Sequence, residues 1–387
     1  MEVYFDNAAT TRCADRAVEA MKTIYLEDYG NPSSMYHRGL VAENHVRESA
    51  EKIAKYIKVD PKEILFTSGG TESDNSAIIG AARANKRRGM HLITTAIEHP
   101  AILETFKFLE KEGYEVTYLP VDEKGVLRME DVKAAIRKDT TVLSVMHTNN
   151  EIGSLQPLAE IGQYLKNLPE RERPLFHTDA VQGFGHYKIQ PSKLGIDMMS
   201  VSAHKIHGPK GVGFLYLKDK IKWEPYILGG GQQSGLRSGT QNVPGIVGMT
   251  VAVEEAYANM EANTEKMYLL KQQLSEGILA LERTVLNGPA GRDGAAHVVS
   301  ASFEGVRAEV LLHALEEKGI DVSAGSACAS NKKQIGSDTM RAIGQREKYI
   351  ESTLRFSLCG ENTEEEVEYT LKALQELLPQ LRKYTRY

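Results

Sequence analysis

The sequence predicts an α/β protein: a mostly parallel sheet with helices on both faces, followed by a smaller α+β unit. Three observations carry that expectation. Short apolar segments alternate with helical stretches from Ile64 to Leu217. Those segments are apolar throughout, the pattern of strands buried on both faces. The residues with useful chemistry (Gly69-Gly70-Thr71, His99, Asn149-Asn150, Asp179 and Lys205) each follow a strand, and ligands of parallel sheets sit beyond the strands' carboxyl ends.

The elements follow in order. Ile64–Phe66 reads as a strand and Thr71 to Arg88 as a helix; His91 to Ile97 is a strand, Ala101 to Lys111 a helix and Val116 to Leu119 a strand. Val132 to Lys138 is helical, Val142 to His147 a β-branched strand, Leu158 to Leu168 a helix and Leu175 to Thr178 a strand. Met198 to Val201 and Val212 to Leu217 complete the first set. A long helical stretch, about Val243 to Leu281, carries the chain onward. Strand Val298 to Phe303, helix Ala308 to Lys318, a loop and helix, strand Thr353 to Leu358 and a last helix from Glu364 to about Tyr384 form the smaller unit. The expected division is an N-terminal segment 1–12 near the active site, a large domain 13–258 and a small domain 259–387.

Composition bounds the function. The chain has 387 residues, 41% hydrophobic and 26% charged, with a net charge of −5, so no basic excess exists to hold nucleic acid or a membrane surface. Three scattered cysteines (Cys13, Cys328, Cys359) make neither a disulfide framework nor a zinc pattern. The N-terminus has no basic stretch followed by an apolar core, and no apolar run is long enough for a bilayer. The expectation is a cytoplasmic protein with reduced thiols.

The chemistry centres on Ser202-Ala203-His204-Lys205-Ile206-His207-Gly208-Pro209-Lys210-Gly211. A lysine at the mouth of a strand is sheltered, desolvation favours its neutral amine, and such an amine forms a Schiff base with a carbonyl cofactor. An ordinary surface lysine is the alternative, and only the company of Lys205 decides against it. Gly69-Gly70-Thr71 opens a helix, where unpaired N–H groups can hold an anion; a plain N-cap serves equally. Asp179 ends a strand and can keep a pyridine nitrogen protonated, or simply cap the next turn, while Gln182 follows within reach. His99 can stack on a planar ring and shuttle a proton. A metal reading of His177, Asp179, His204 and His207 lacks ligand spacing. Arg355, flanked by Leu354 and Phe356, needs a partner: a bidentate substrate carboxylate, or an internal salt bridge. Cys328 sits among small residues, Ser323 to Ser330, in a setting that suits an accessible nucleophile.

Taken together the residues resemble the pyridoxal-phosphate-dependent cysteine desulfurases of the NifS/IscS type, in the class V aminotransferase group. The matching pieces are Asp6-Asn7-Ala8-Ala9-Thr10, Gly30-Asn31-Pro32-Ser33-Ser34, Thr67 to Asn75, Glu98-His99-Pro100, Asn149 to Gly153, His204 to Gly211 and Arg237-Ser238-Gly239-Thr240. The resemblance implies fold-type I, with a seven-stranded large domain and a small domain, working as a homodimer. It implies that Lys205 holds pyridoxal 5'-phosphate and transfers protons, that His99 stacks on the ring, that Asp179 pairs with its nitrogen and Gln182 with its oxygen. Gly70, Thr71, Ser202 and His204 would bind the phosphate, with Thr240 supplied by the other subunit. Asn150 and Arg355 would bind the substrate carboxylate. Cys328 would take the sulfur of L-cysteine as a persulfide, leaving L-alanine. No resident metal is implied, beyond Cys328 as a transient iron–sulfur ligand.

An acceptor protein in iron–sulfur cluster, thio-cofactor or tRNA biosynthesis would then receive the sulfur. The segment after Cys328 lacks the Glu-Pro-Ser element of the housekeeping members, and the chain stops at Tyr387 without their scaffold-docking tail. Desulfuration is thus expected more firmly than delivery to one acceptor. The rivals are a selenocysteine lyase, another β-lyase or aminotransferase of this fold, and a non-enzymatic sulfur or metal carrier.

Overall fold

The computed structural model describes residues 1–324 and 337–383. Its larger sheet has seven strands, ordered 64–67, 213–217, 198–202, 175–179, 140–144, 91–95 and 115–119 across the sheet. All neighbours are parallel except those of Gly213–Leu217, which runs against both. That strand returns directly from Met198–Ser202 through the Gly208-Pro209-Lys210-Gly211 turn, and an antiparallel return needs no crossover helix. Ile64–Thr67, His91–Thr95, Thr140–Ser144 and Met198–Ser202 are buried along their whole length, as expected for strands covered on both faces. Glu115–Leu119, at the edge, is half exposed.

Helix Gly70–Ala84 lays Ile78, Ala81 and Ala82 on one face of this sheet against Leu92, Phe106 and Leu215. The opposite face packs Phe176, Met199, Val201 and Phe214 under Ile53, Ile57 and Ile161. Helix Val243–Leu279 runs without a break past residue 258. Its Ile246, Met249, Ala252 and Val253 join the large-sheet core, and its Met267, Leu270, Leu274 and Ile278 join a second core. That second core belongs to a four-stranded antiparallel sheet ordered 323–324, 353–357, 298–303, 284–287. The chain's first strand, Val3–Tyr4, pairs in parallel with Ile320–Asp321, so the N-terminus is fastened to the small lobe.

Among the longer described elements, the sequence pattern does not show helices Asp15–Leu26 and His37–Ile57 or edge strand Thr284–Asn287, nor does it show the two-residue strands Val3–Tyr4 and Ile320–Asp321. Helix His37–Ile57 buries Gly39, Ala42, Ser49, Ile53, Ala54 and Ile57, of which only Ile53 and Ile57 are large apolar side chains, a weak 3.6-residue signal. The expected helix at Val132 to Lys138 lies earlier, at Met129–Ala135, where Glu130 and Asp131 occupy the first turn that favours acidic residues. Among the described residues no helix is long and apolar enough to cross a membrane.

Candidate active site

The carboxyl ends of the central strands converge on one place. Strands Leu175–Asp179 and Met198–Ser202 are parallel neighbours, with Asp179 opposite Ser200. Lys205 stands one turn past Ser202, in the short 3-10 turn Ala203–Lys205. It is half exposed rather than sheltered, and its Nζ donates to two carbonyls of the N-terminal segment, Ala8 O at 2.6 Å and Ala9 O at 2.8 Å. The sequence expectation of a desolvated lysine is corrected to this extent: backbone oxygens take the place of part of its water.

Asp179 is buried, and its Oδ1 accepts from Val181 N at 2.8 Å. Burial raises its carboxyl pKa, while the His99 and Lys205 charges pull it back. A buried carboxyl of this kind is stabilised as a carboxylate by a cationic partner. His99 is the N-cap of helix Pro100–Lys111, and its Nδ1 accepts from Ala101 N at 3.1 Å. That bond leaves Nδ1 bare and puts the proton of the neutral ring on Nε2. Burial, opposed by Asp179 and reinforced by Lys205, lowers the imidazole pKa, so the ring is neutral at physiological pH.

Beside these lies a cavity of about 450 Å³, lined by Ser68, Gly69, Gly70, Thr71, Ser202, His204 and Lys210 together with Ala9, Thr10, Glu72 and Gly211. It opens at the N-terminus of helix Gly70–Ala84, which carries unpaired N–H groups and the positive end of the helix dipole. Gly69 has φ 145°, a conformation for glycine, and a Cβ there would stand 3.5 Å from Ser202 Oγ. A Cβ on Gly70 would press on Val181 Cγ2 at 2.8 Å. Glu72, which would repel an anion, is turned away into a two-pronged bond with Arg237 (2.8 and 3.1 Å). His204 Nδ1 meets Thr10 Oγ1 at 3.1 Å, and burial together with Lys205 and Lys210 pushes its pKa down to about 4.

Gln182 is buried, with Nε2 donating to Ala8 O at 2.8 Å. An amide nitrogen carries two hydrogens, so one remains for a ligand. Arg355 is buried on strand Thr353–Ser357. It donates through Nη2 to Asp6 Oδ1 at 2.7 Å and through Nη1 to Asn150 O at 2.9 Å, and its Nε has no partner among the described residues. Of the partners expected for Arg355, the internal salt bridge is formed by Asp6. Asn150 enters through its backbone oxygen.

Gly70, Thr71, Ser202 and His204 thus share a wall. Thr240 does not join them; it is exposed on a separate cleft with Phe66, Gln233 and Asn242. Cys328 lies outside the described residues. His177, proposed as a metal ligand in one rival, has both ring nitrogens engaged, by Ser144 Oγ at 2.9 Å and Ser200 Oγ at 3.0 Å. Two buried acids beneath the site went unread. Glu98 Oε1 accepts from Thr95 Oγ1 and Met146 N, and burial pushes its carboxyl up to about 8. Burial and the nearby Asp179 raise Asp74 well above the usual range. The signal for Asp74 was its spacing: it shares a helix face with the buried Ile78 and Ala81.

Against known proteins, the family model described as Aminotransferase class-V matches residues 3–370. A protein named cysteine desulfurase IscS from Clostridium botulinum (strain Hall) is 44% identical over 385 residues, 98% of this chain and 95% of its own length. A solved structure titled NifS-like protein has 40% identity and a TM-score of 0.92, covering 98% of this chain and 100% of that one. Another, titled SspA in complex with cysteine, has 36% identity and a TM-score of 0.79, covering 93% and 100%.

Proposed function

The chain belongs to the aminotransferase class-V family, alongside proteins named cysteine desulfurase, and from that premise we propose that it is a pyridoxal-phosphate-dependent cysteine desulfurase. The observation that carries this reading is the meeting of Lys205, His99 and Asp179 past the carboxyl ends of three strands of one sheet, beside a cradle of glycines and hydroxyls. The residues present fit the cofactor. The Gly70, Thr71, Ser202 and His204 wall has the backbone N–H groups and hydroxyls that a phosphate needs, and Asp179 has the buried carboxyl that a ring cation would stabilise. When bound, pyridoxal phosphate supplies an aldehyde for amine capture and a ring that accepts electron density from the substrate carbon.

The chain's own residues do the rest. Lys205 would hold the cofactor through its amine and would move the proton of the substrate's α-carbon. His99, neutral and bare at Nδ1 only toward its own helix, offers Nε2–H and a flat ring face. Asp179, buried and raised in pKa, would be held as a carboxylate by the protonated ring nitrogen of the cofactor, with Lys205 adding to the pull. Arg355 meets the substrate carboxylate, with Asp6 and the Asn150 carbonyl holding the guanidinium in place until then. The Cys328 thiolate takes the sulfur: an S–S bond forms as the substrate C–S bond breaks, and the carbon gains a proton to become the methyl group of L-alanine. The persulfide then passes to an acceptor protein.

The active assembly in this reading is a homodimer. Thr240 stands outside its own chain's cradle, which supports a role in the partner's site, and the stretch from Leu26 to Leu40 leaves Leu26, Tyr29, Met35, Tyr36 and Leu40 exposed, large apolar side chains that a second copy would cover. The test is L-alanine formation from L-cysteine by the purified protein with added pyridoxal phosphate. Wild type turns over repeatedly in the presence of a reducing thiol, and Cys328→Ala does not. A Cys328→Ala protein that sustained wild-type turnover would sink the proposal.

A further inference from the structure

We propose that His297, arriving from the small lobe, is a positioning residue that donates from Nε2 to Gln182 Oε1 and so decides which end of that amide faces the active site. The contact is 3.3 Å and buried. It links residues 115 apart in sequence, one just past strand Leu175–Asp179 of the large sheet and one just before strand Val298–Phe303 of the small-lobe sheet.

The direction of the bond follows from what surrounds it. Ala8 O is a carbonyl and only accepts, so the Gln182 atom 2.8 Å from it must be nitrogen. Gln182's other end is then oxygen, and it needs a donor. His297 supplies one only if its proton is on Nε2. The rest of the ring agrees: Nδ1 is buried without a partner among the described residues, which is tolerable for a bare acceptor and costly for an N–H. Burial, with the charges of Lys271 and Arg355 and the His186 and His147 rings nearby, holds the imidazole well below its ordinary pKa, so it carries a single proton.

The ring is also fixed in place. It stacks on His186 with centroids 4.2 Å apart and planes 12° apart. The residue before it donates from Ala296 N to Tyr187 Oη at 3.0 Å, and Ala295 N donates to Gly153 O at 2.7 Å. The segment 295–297 is therefore seated on the large lobe, and Gln182 is oriented by that seating. Without His297, the Gln182 oxygen has no donor, and a flipped or wandering amide relieves the loss. The second hydrogen of Gln182 Nε2 then no longer stays beside the Ala8 carbonyl that Lys205 also holds.

This inference rests on the cofactor reading above, in which Gln182 donates to the ring oxygen. The experiment uses full-length wild type, His297→Leu, His297→Gln, Gln182→Leu and the double variant. Pyridoxal phosphate affinity is measured by equilibrium dialysis, and the pH midpoint of the visible band is recorded without substrate. His297→Leu is expected to weaken binding about tenfold and to move the midpoint, in line with one lost hydrogen bond. His297→Gln, whose amide can donate, restores most of both. In the Gln182→Leu background His297→Leu adds less than about twofold, because the residue acts only through Gln182. If His297→Leu does not fold, His297→Phe keeps the stack on His186 while lacking the donor. A wild type that takes up no cofactor overturns both readings. Cofactor uptake with an unaltered affinity and midpoint in His297→Leu, or with additive effects in the double variant, overturns this one alone.

Discussion

The floor and the roof of the site are built by opposite means. The floor is local: Gly70, His99, Asp179 and Lys205 each lie within a few residues of a strand that ends there, and the parallel sheet gathers them. The roof is assembled from afar. Asp6, Ala8 and Ala9 come from the N-terminus, and His297 and Arg355 from the small lobe. A floor of this kind survives shifts of the small lobe. A roof held by single hydrogen bonds between lobes reports such shifts directly.

The largest expected effect lies on the floor. Lys205→Ala should lower L-alanine formation by about 10²–10⁴-fold or more, since proton transfer and amine capture are both lost. A rate assay and the visible spectrum check it; a variant with the wild-type band and rate would show the floor to be no catalytic centre.

On the roof, Asp6→Asn tests whether Arg355 is held by charge. The ion pair is 2.7 Å long and mostly buried, so leaving the guanidinium without its counter-charge should cost about 3–5 kcal/mol in urea unfolding and raise the KM for L-cysteine. Unchanged stability would mean that the Asn150 carbonyl alone suffices.

Glu98→Gln sharpens the comparison through pH. The Glu98 carboxyl titrates at about 8 in the fold against an ordinary 4.5, so the native state binds its proton more tightly than the unfolded chain. Its contribution is present in full below about 4.5 and is lost as the pH rises toward 8. The difference in unfolding free energy between wild type and Glu98→Gln should therefore fall across that window, by at most about 1.4 kcal/mol per pH unit. A difference that stays flat would mean the buried acid is already ionised.

The smallest effect is Thr10→Val, which removes one partner of His204 Nδ1 at a cost of about 0.5–1.5 kcal/mol. Thermal unfolding measures it, and a cofactor affinity changed by more than about tenfold would put Thr10 in the phosphate cradle itself.

The same division explains what could be read from the chain. The mostly parallel sense of the sheet and the floor residues followed from apolar runs and from which polar residue ends each run; the order of the strands across the sheet and the antiparallel Gly213–Leu217 did not. Asp179 was readable because Leu175-Phe176-His177-Thr178 precedes it. His297 was not: it sits beside Ala296 and Val298 with nothing local to mark it, and its role exists only once two lobes meet. Arg355 stood out as a charge amid apolar neighbours, yet its partner Asp6 lies 349 residues away. The helices Asp15–Leu26 and His37–Ile57 bury few large apolar side chains, Ile24 in the first and Ile53 and Ile57 in the second.

The Ala8 carbonyl has a consequence for how this protein can be studied. It and the Ala9 carbonyl take two hydrogen bonds from Lys205, and Ala8 takes a third from Gln182. Main-chain oxygens are the same in every amino acid, and both positions are already alanine. An alanine scan would therefore pass over the two residues that hold the central amine and return silence. Shortening the N-terminal segment, or replacing the peptide bond after Ala8 with an ester, would reach what side-chain exchange cannot.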